Sequence, residues 1–310
     1  MSPHIQCSLR PIALWSAAIL LGHASALGGA ELGFDSALIE TITGLKGARN
    51  DAEAVFKVTS PRKDLPVTVD GWKMPPFAGL TSWAAFKAGG AQDVMVMGDL
   101  VLFEDEINPA MSAALDHGLV VTALHNHFLF DQPRVYFMHI GGEGTVAGLA
   151  GGVKATLDAV AKTRAARPEP ARTFGATPLP AESKVTAAPI ETLLEAKAQQ
   201  NAGMLKFVFG REVTMECGCE VGKEMGVNTW AVFAGTDANA VVDGDFAVLE
   251  RELQPVLKSL RAGGINIVAI HQHMTGETPR MLFLHYWGRG NAAALAGALQ
   301  KTRAIQAAIK

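Results

Sequence analysis

Shifting the sequence against itself by 146 positions lays "AIHQHMTGETPRMLFLH" (residues 269–285) over "ALHNHFLFDQPRVYFMH" (residues 123–139). His125, His127, Pro133, Arg134, Phe137 and His139 then coincide with His271, His273, Pro279, Arg280, Phe283 and His285. The match runs upstream. "MGDLVLFEDEINPAM" (97–111) resembles "DGDFAVLERELQPVL" (243–257), "PVTV" resembles "EVTM", "SWAAF" resembles "TWAVF", and "LIETITGLKGA" resembles "PIETLLEAKAQ". A chain duplicated in this way must build one local structure twice, because its turn and cap residues recur at the same offsets. The first unit spans about residues 34–164 and the second 188–310. Residues 165–187 between them are rich in Pro, Ala and small polar residues, the composition of a linker.

Each unit has the same coarse pattern. An opening helix precedes apolar runs such as Val94 to Phe103 and Val241 to Leu249, which are expected to be strands. A helix then starts at Asn108 before Pro109, or Gln254 before Pro255, and stops at Gly118, or at Gly263 and Gly264. Two further strands, "LVVTALHNH" and "RVYFMHI" in the first unit, are joined by a loop of hairpin length, and an Ala-rich helix closes the unit. Paired strands with interspersed helices predict an α+β fold, each unit a largely antiparallel sheet with helices packed on one face.

Composition narrows the function. With 49% hydrophobic and 18% charged residues and a formal net charge of −3, the chain is neither disordered nor basic, which sets nucleic-acid partners aside. Arg10, the apolar run from Ile12 to Gly22 and the small residues after it have the layout of a signal peptide, residues 1–26, cut after Ala26. Export to the periplasm or the medium is expected, with no transmembrane segment left after removal of the signal. Cys7 would depart with the leader and precedes its apolar run, where it is no lipid-attachment cysteine. Cys217 and Cys219, in "ECGCE", remain as a candidate redox or soft-metal pair, or as two reduced thiols.

Six of the nine histidines lie in two triplets with identical internal spacing. Residues two apart on a strand share a face, so His125 and His127 are expected side by side, with His139 returning on the next strand. The same holds for His271, His273 and His285. Three imidazoles so placed suit a divalent metal, zinc in the first instance, with a fourth position left for water or a ligand. Hydrogen-bonded structural histidines are the alternative. Glu104 and Glu250 are candidate general bases or fourth ligands, whereas Glu106 and Glu252 suit the positive end of the following helix. Arg134 and Arg280 are placed either to clamp an anionic ligand or to pair with those carboxylates. The first unit is the favoured site, because Asn126 is short and Tyr136 and Glu143 add polar groups.

The letters "HNH" do not make a nuclease, whose named residues are dispersed over a ββα-metal element, and neither unit follows the cupin pattern, whose final His lies in a separate motif. The stretches "PVTVDGWKMPP", "SWAAF", "TALHNH" and "PRVYFMHIGGEG" instead resemble the LppY/LpqO family of exported bacterial proteins, over both units. Named members are lipoproteins, and this chain lacks the attachment cysteine; the resemblance implies an exported bacterial protein and no particular activity. Two functions stay open. One is metal-assisted activation of water for hydrolysis of a small anionic substrate; the other is non-catalytic capture of a metal ion or small molecule.

Overall fold

The computed structural model describes residues 31–90 and 94–309; the expected signal peptide lies outside them. The first unit contains α1 (Ser36–Thr43), β1 (Gly47–Asn50), β2 (Val55–Pro61), β3 (Val67–Val69), β4 (Trp72–Met74), β5 (Thr81–Ala88) and β6 (Val94–Phe103). It continues through α2 (Glu104–Asp116), β7 (Val120–His125), β8 (Asp131–Gln132), β9 (Val135–Gly144) and α3 (Val146–Ala166). The second unit repeats the series as α4 (Ala187–Leu194), β10 (Gln199–Asn201), β11 (Met204–Gly210), β12 (Val213–Thr214), β13 (Glu220–Val221) and β14 (Asn228–Gly235). It ends with β15 (Ala240–Leu249), α5 (Glu250–Ala262), β16 (Asn266–His271), β17 (Met281–Gly290) and α6 (Ala292–Ala308). Among the described residues no helix is long and apolar enough to cross a membrane.

The fold is α+β, and its two halves follow one strand order. They join into a single antiparallel sheet running β1-β2-β5-β6-β9-β7 and then, mirrored, β16-β17-β15-β14-β11-β10. The seam is an antiparallel bridge between Leu124 of β7 and Ile270 of β16. Strand alternation sends Leu100, Leu102, Met138 and Ile140 to the helices, in a core that also holds Phe246, Val248, Leu284 and Tyr286 of the second unit. The opposite face carries smaller apolar clusters, with Val101, Phe103 and Phe137 under β3 and β4, and Ala247, Leu249 and Phe283 under β12 and β13.

The central helices begin earlier than Asn108 and Gln254. They start at Glu104 and Glu250, so Pro109 and Pro255 fall inside them. The cap is made by the third helical residue, whose carboxylate accepts the backbone N–H just before the helix: Phe103 N to Glu106 at 2.8 Å and Leu249 N to Glu252 at 2.9 Å. Asn108 and Gln254 do different work. Both β7 and β16 shift register, between Val121 and Ala123 and between Ile267 and Ala269. Each opened edge is closed by the other unit's helix. Asn108 accepts from Ile267 N at 2.8 Å and donates to Ile267 O at 3.2 Å; Gln254 accepts from Val121 N at 2.9 Å and donates to Val121 O at 2.8 Å.

These amides replace a missing strand neighbour for buried backbone groups, which are costly to leave unpaired. Asn108→Ala is therefore expected to destabilise the chain by about 2 kcal/mol, and Gln254→Ala by a similar amount. Urea denaturation would measure the loss, and an unchanged midpoint in both variants would show that the clamps contribute nothing.

Candidate metal centre

The sheet register assembles the site. Asp99 of β6 faces His139 of β9, which in turn faces Ala123 of β7, and His125 faces Phe137 one pleat further on. The second unit copies this: Asp245 faces His285, His285 faces Ala269, and His271 faces Phe283. All these side chains point away from the helices, and the aspartates are not among the residues expected from sequence. A signal for them exists, since Gly98-Asp99 and Gly244-Asp245 recur within otherwise apolar strands. The glycine half of that motif has its own cause. A Cβ at either position would lie 2.7 or 2.2 Å from the backbone oxygen of Trp83 or Trp230.

Strands β7 and β16 end at His125 and His271, so His127 and His273 sit in the following turns rather than on the strands. They still reach the site because each stacks flat on a phenylalanine: His127 on Phe137 with ring centroids 3.3 Å apart, His273 on Phe283 at 3.5 Å. His125 lies 5.1 Å from both His127 and His139, centroid to centroid. In the second unit His271 lies 5.1 Å from His273 and 4.7 Å from His285.

Ligand atoms converge most closely in the second unit, the reverse of the sequence preference for the first. One ligating atom from each of Asp245, His271 and His285 lies within 4.8 Å of the others. Two atoms there, Asp245 Oδ1 and His271 Nε2, are buried without a hydrogen-bond partner; in the first unit Asp99 Oδ1 is in the same condition. Buried polar atoms are nearly always paired, so orphans converging on one point suit an ion. His273 adds a fourth group. Its Nδ1 lies 3.1 Å from Gly226 O, a pure acceptor, so Nδ1 carries the proton and Nε2 faces Asp245 Oδ2 at 3.2 Å. In a neutral ring that puts a lone pair against a carboxylate, and a cation between them relieves it.

Electrostatics match ligand chemistry at the histidines. Burial is the main cause that lowers the pKa of His271 and of His127, keeping the neutral, metal-binding form of each. At the carboxylates burial acts against the ionised, ligating form: it raises Asp99, against the pull of His139, His127 and His125, and raises Asp243, against the pull of His285.

The other expected groups are placed as follows. Glu104 lies 3.8 Å from Arg134 and Glu250 lies 3.7 Å from Arg280, exposed pairs at the strand ends. Glu104 stands three residues beyond the row of His125, Phe137 and Val101, roughly 10 Å along the strand direction. Tyr136 packs against the helix-side core and Glu143 faces Met95, so neither joins the first-unit cluster. Glu106 and Glu252 are buried on Arg62 and Arg211 respectively. Cys217 and Cys219 are free and exposed in the β12–β13 turn, where Cys219 N donates to Cys217 Sγ at 3.4 Å. The hydrogen bond from the Cys219 thiol lowers the pKa of Cys217 and raises that of Cys219.

Fold and site together define a duplicated α+β protein with one His/Asp cluster per repeat. The chain belongs to the family described as Domain of Unknown Function (DUF1259), whose model matches residues 37–159 and again 188–305. No match to a curated protein was found. Among solved structures it is similar to the trimeric bacterial microcompartment shell protein PduB, at 13% identity and a TM-score of 0.20, covering 84% of this chain and 89% of that one. It is also similar to EutL from Clostridium perfringens, at 13% identity and a TM-score of 0.21, covering 71% and 82%. Likenesses of this size carry no inference about this chain.

Proposed function

We propose that this is an exported protein that binds a divalent metal, zinc in the first instance, with Asp245, His271 and His285 as ligands and His273 held close by. The first unit would offer Asp99, His125, His139 and His127 in the same roles. The observation that carries the reading is the convergence of Asp245, His271 and His285 within 4.8 Å, with two orphaned buried atoms among them. With His273 beside the ion rather than bound to it, two imidazoles and one carboxylate would leave a coordination position open, where a metal would polarise water or a substrate oxygen for hydrolysis of a small anionic substrate. The same ligand set also suits ferrous iron. Glu104 lines the same cavity of about 350 Å³ as His285, so the general base for the second-unit site would come from the first unit. Arg134 and Arg280 would hold an anionic group only after releasing Glu104 and Glu250.

Elemental analysis of protein taken from its native compartment tests the reading. Zinc or another divalent metal is expected near stoichiometry, and protein that carries none and takes up none on reconstitution would end it. The alternative, metal capture without catalysis, draws support from the thiol pair. Its hairpin is tied to the His273 turn by the Thr214–Thr278 bridge, which suits hand-over of a soft ion. Export is supported by the N-terminal layout and by the LppY/LpqO resemblance. The mature N-terminus is expected near Leu27, and Edman sequencing of exported protein that begins at Met1 would refute it.

A further inference from the structure

A cleft of about 810 Å³ opens between the units under the segment that follows α3. Four arginines line it, Arg167, Arg172, Arg261 and Arg289, against two carboxylates, Glu104 and Asp105. Asp105 is engaged by Arg164, and Glu104 lies 3.8 Å from the exposed Arg134. None of the four arginines has a carboxylate partner among the described residues. Arg261 bonds to Ser112, Ile265 O and Asn266. Arg289 reaches Thr177 O and Asn239, and its Nε is buried with no partner at all. Desolvation lowers Arg261 only to about 10, so it keeps its charge at neutral pH.

So much uncompensated positive charge in a chain of net charge −3 is a local device. It does not come from the duplication, because the repeat counterparts of Arg261 and Arg289 are Leu115 and Glu143. Two aromatic side chains, Trp287 and Phe174, line both this cleft and the smaller cavity that reaches His285. Guanidinium forks match carboxylate and phosphate oxygens, and an aromatic wall suits a planar apolar ring. The volume is that of an ordinary small-molecule site.

From the four arginines without a carboxylate partner and the two aromatic walls, we infer that the cleft is a binding site for an aromatic oxyanion, a carboxylate or phosphate ester. Its charged group lies on Arg172 and Arg289 and its ring against Trp287 and Phe174. This goes beyond the metal reading and does not need a metal. If the metal reading also holds, the shared cavity would present the ligand's far end to His285.

Isothermal titration of the full mature chain with 2-naphthyl phosphate, 2-naphthoate, 2-naphthol and inorganic phosphate tests it. At least one of the two naphthyl oxyanions is expected to bind at one site per chain, and the tighter of them identifies the anionic group. The neutral naphthol and bare phosphate should each bind roughly tenfold or more weakly, lacking one half of the recognition. Arg172→Ala, whose side chain makes no hydrogen bond or ion pair among the described residues and so should leave folding intact, and Arg289→Ala should each weaken the oxyanion roughly tenfold. Repeating the titration on metal-stripped protein in EDTA should still show the oxyanion bound, so the two proposals fail separately. Absence of binding by both oxyanions, naphthol binding as tightly, or wild-type affinity in both arginine variants would overturn the assignment.

Discussion

Replacing His271 by Ala is expected to remove one bound metal ion per chain and to lower metal affinity by more than the roughly 10–100-fold that loss of a second-sphere partner costs. Asp245→Asn should do the same, because each residue supplies one of three converging ligand atoms. A second readout needs no stoichiometry. Zinc that binds only the folded chain should stabilise it by about 2.7 kcal/mol at a hundred times its dissociation constant, and this increment should vanish in both variants if only that site is filled. Metal content measured after dialysis, together with thermal melts with and without zinc, would decide. If His271→Ala retains the full metal complement, the second-unit centre is wrong. His139→Ala and His127→Ala then ask whether the first unit binds on its own.

Breaking the Arg62–Glu106 pair should cost more stability than losing either amide clamp. Glu106 is fully buried, and Arg62 places two hydrogen bonds on it at 2.6 and 2.7 Å while stacking over Phe103. Arg164 Nε also lies 2.7 Å from Glu106, but without a hydrogen bond, so it compensates the carboxylate only in part. Arg62→Ala is therefore expected to cost about 3 kcal/mol, the lower end for a broken buried pair, and to lower the melting temperature by roughly 5–10 °C. The corresponding pair in the second unit is more open, with the Arg211 side chain 25% exposed, so Arg211→Ala should cost less.

Glu252 also adds a pH term. Burial pushes its pKa up, but Arg211, Leu249 N and Gln306 together hold it below the ordinary value of 4.5. Its contribution is present above that value and lost as pH falls through the depressed folded pKa. Arg211→Ala should therefore make the fall in stability with acid shallower, because less of the stabilisation that protonation of Glu252 removes is there to lose. Equal denaturation midpoints for wild type and Arg62→Ala would refute the larger effect, and identical acid limbs for wild type and Arg211→Ala the smaller.

Much of this architecture is legible in the sequence because duplication prints every constraint twice. The strand Val94–Phe103, the closing helices and the pairing of the third histidine with the first all follow from recurring spacing. The helix starts do not, since Asn-Pro and Gln-Pro imitate a cap while the actual cap is a carboxylate two residues earlier. Asp99 and Asp245 are equally visible in the repeat, but inside strands of Val, Leu and Phe nothing ties them to the histidines until the register of β6 on β9 and of β15 on β17 is known. The seam at Leu124 and Ile270 leaves no local mark, because both are ordinary buried residues of alternating strands. The Arg-lined cleft depends on the linker, which no repeat comparison illuminates.

The mutual clamping of β7 and β16 has a consequence for any single copy of this unit. Cut from its neighbour, it would present an open strand edge and a bare helix amide, a template that another copy could complete. The expected form of such a half-molecule is a symmetric homodimer whose assembly depends on dilution. Fusing two copies in one chain replaces that dependence with a tethered partner held at high effective concentration. It also frees the copies to diverge, so that one half could acquire Arg261, Arg289 and Trp287 while the other kept Leu115, Glu143 and Gly141.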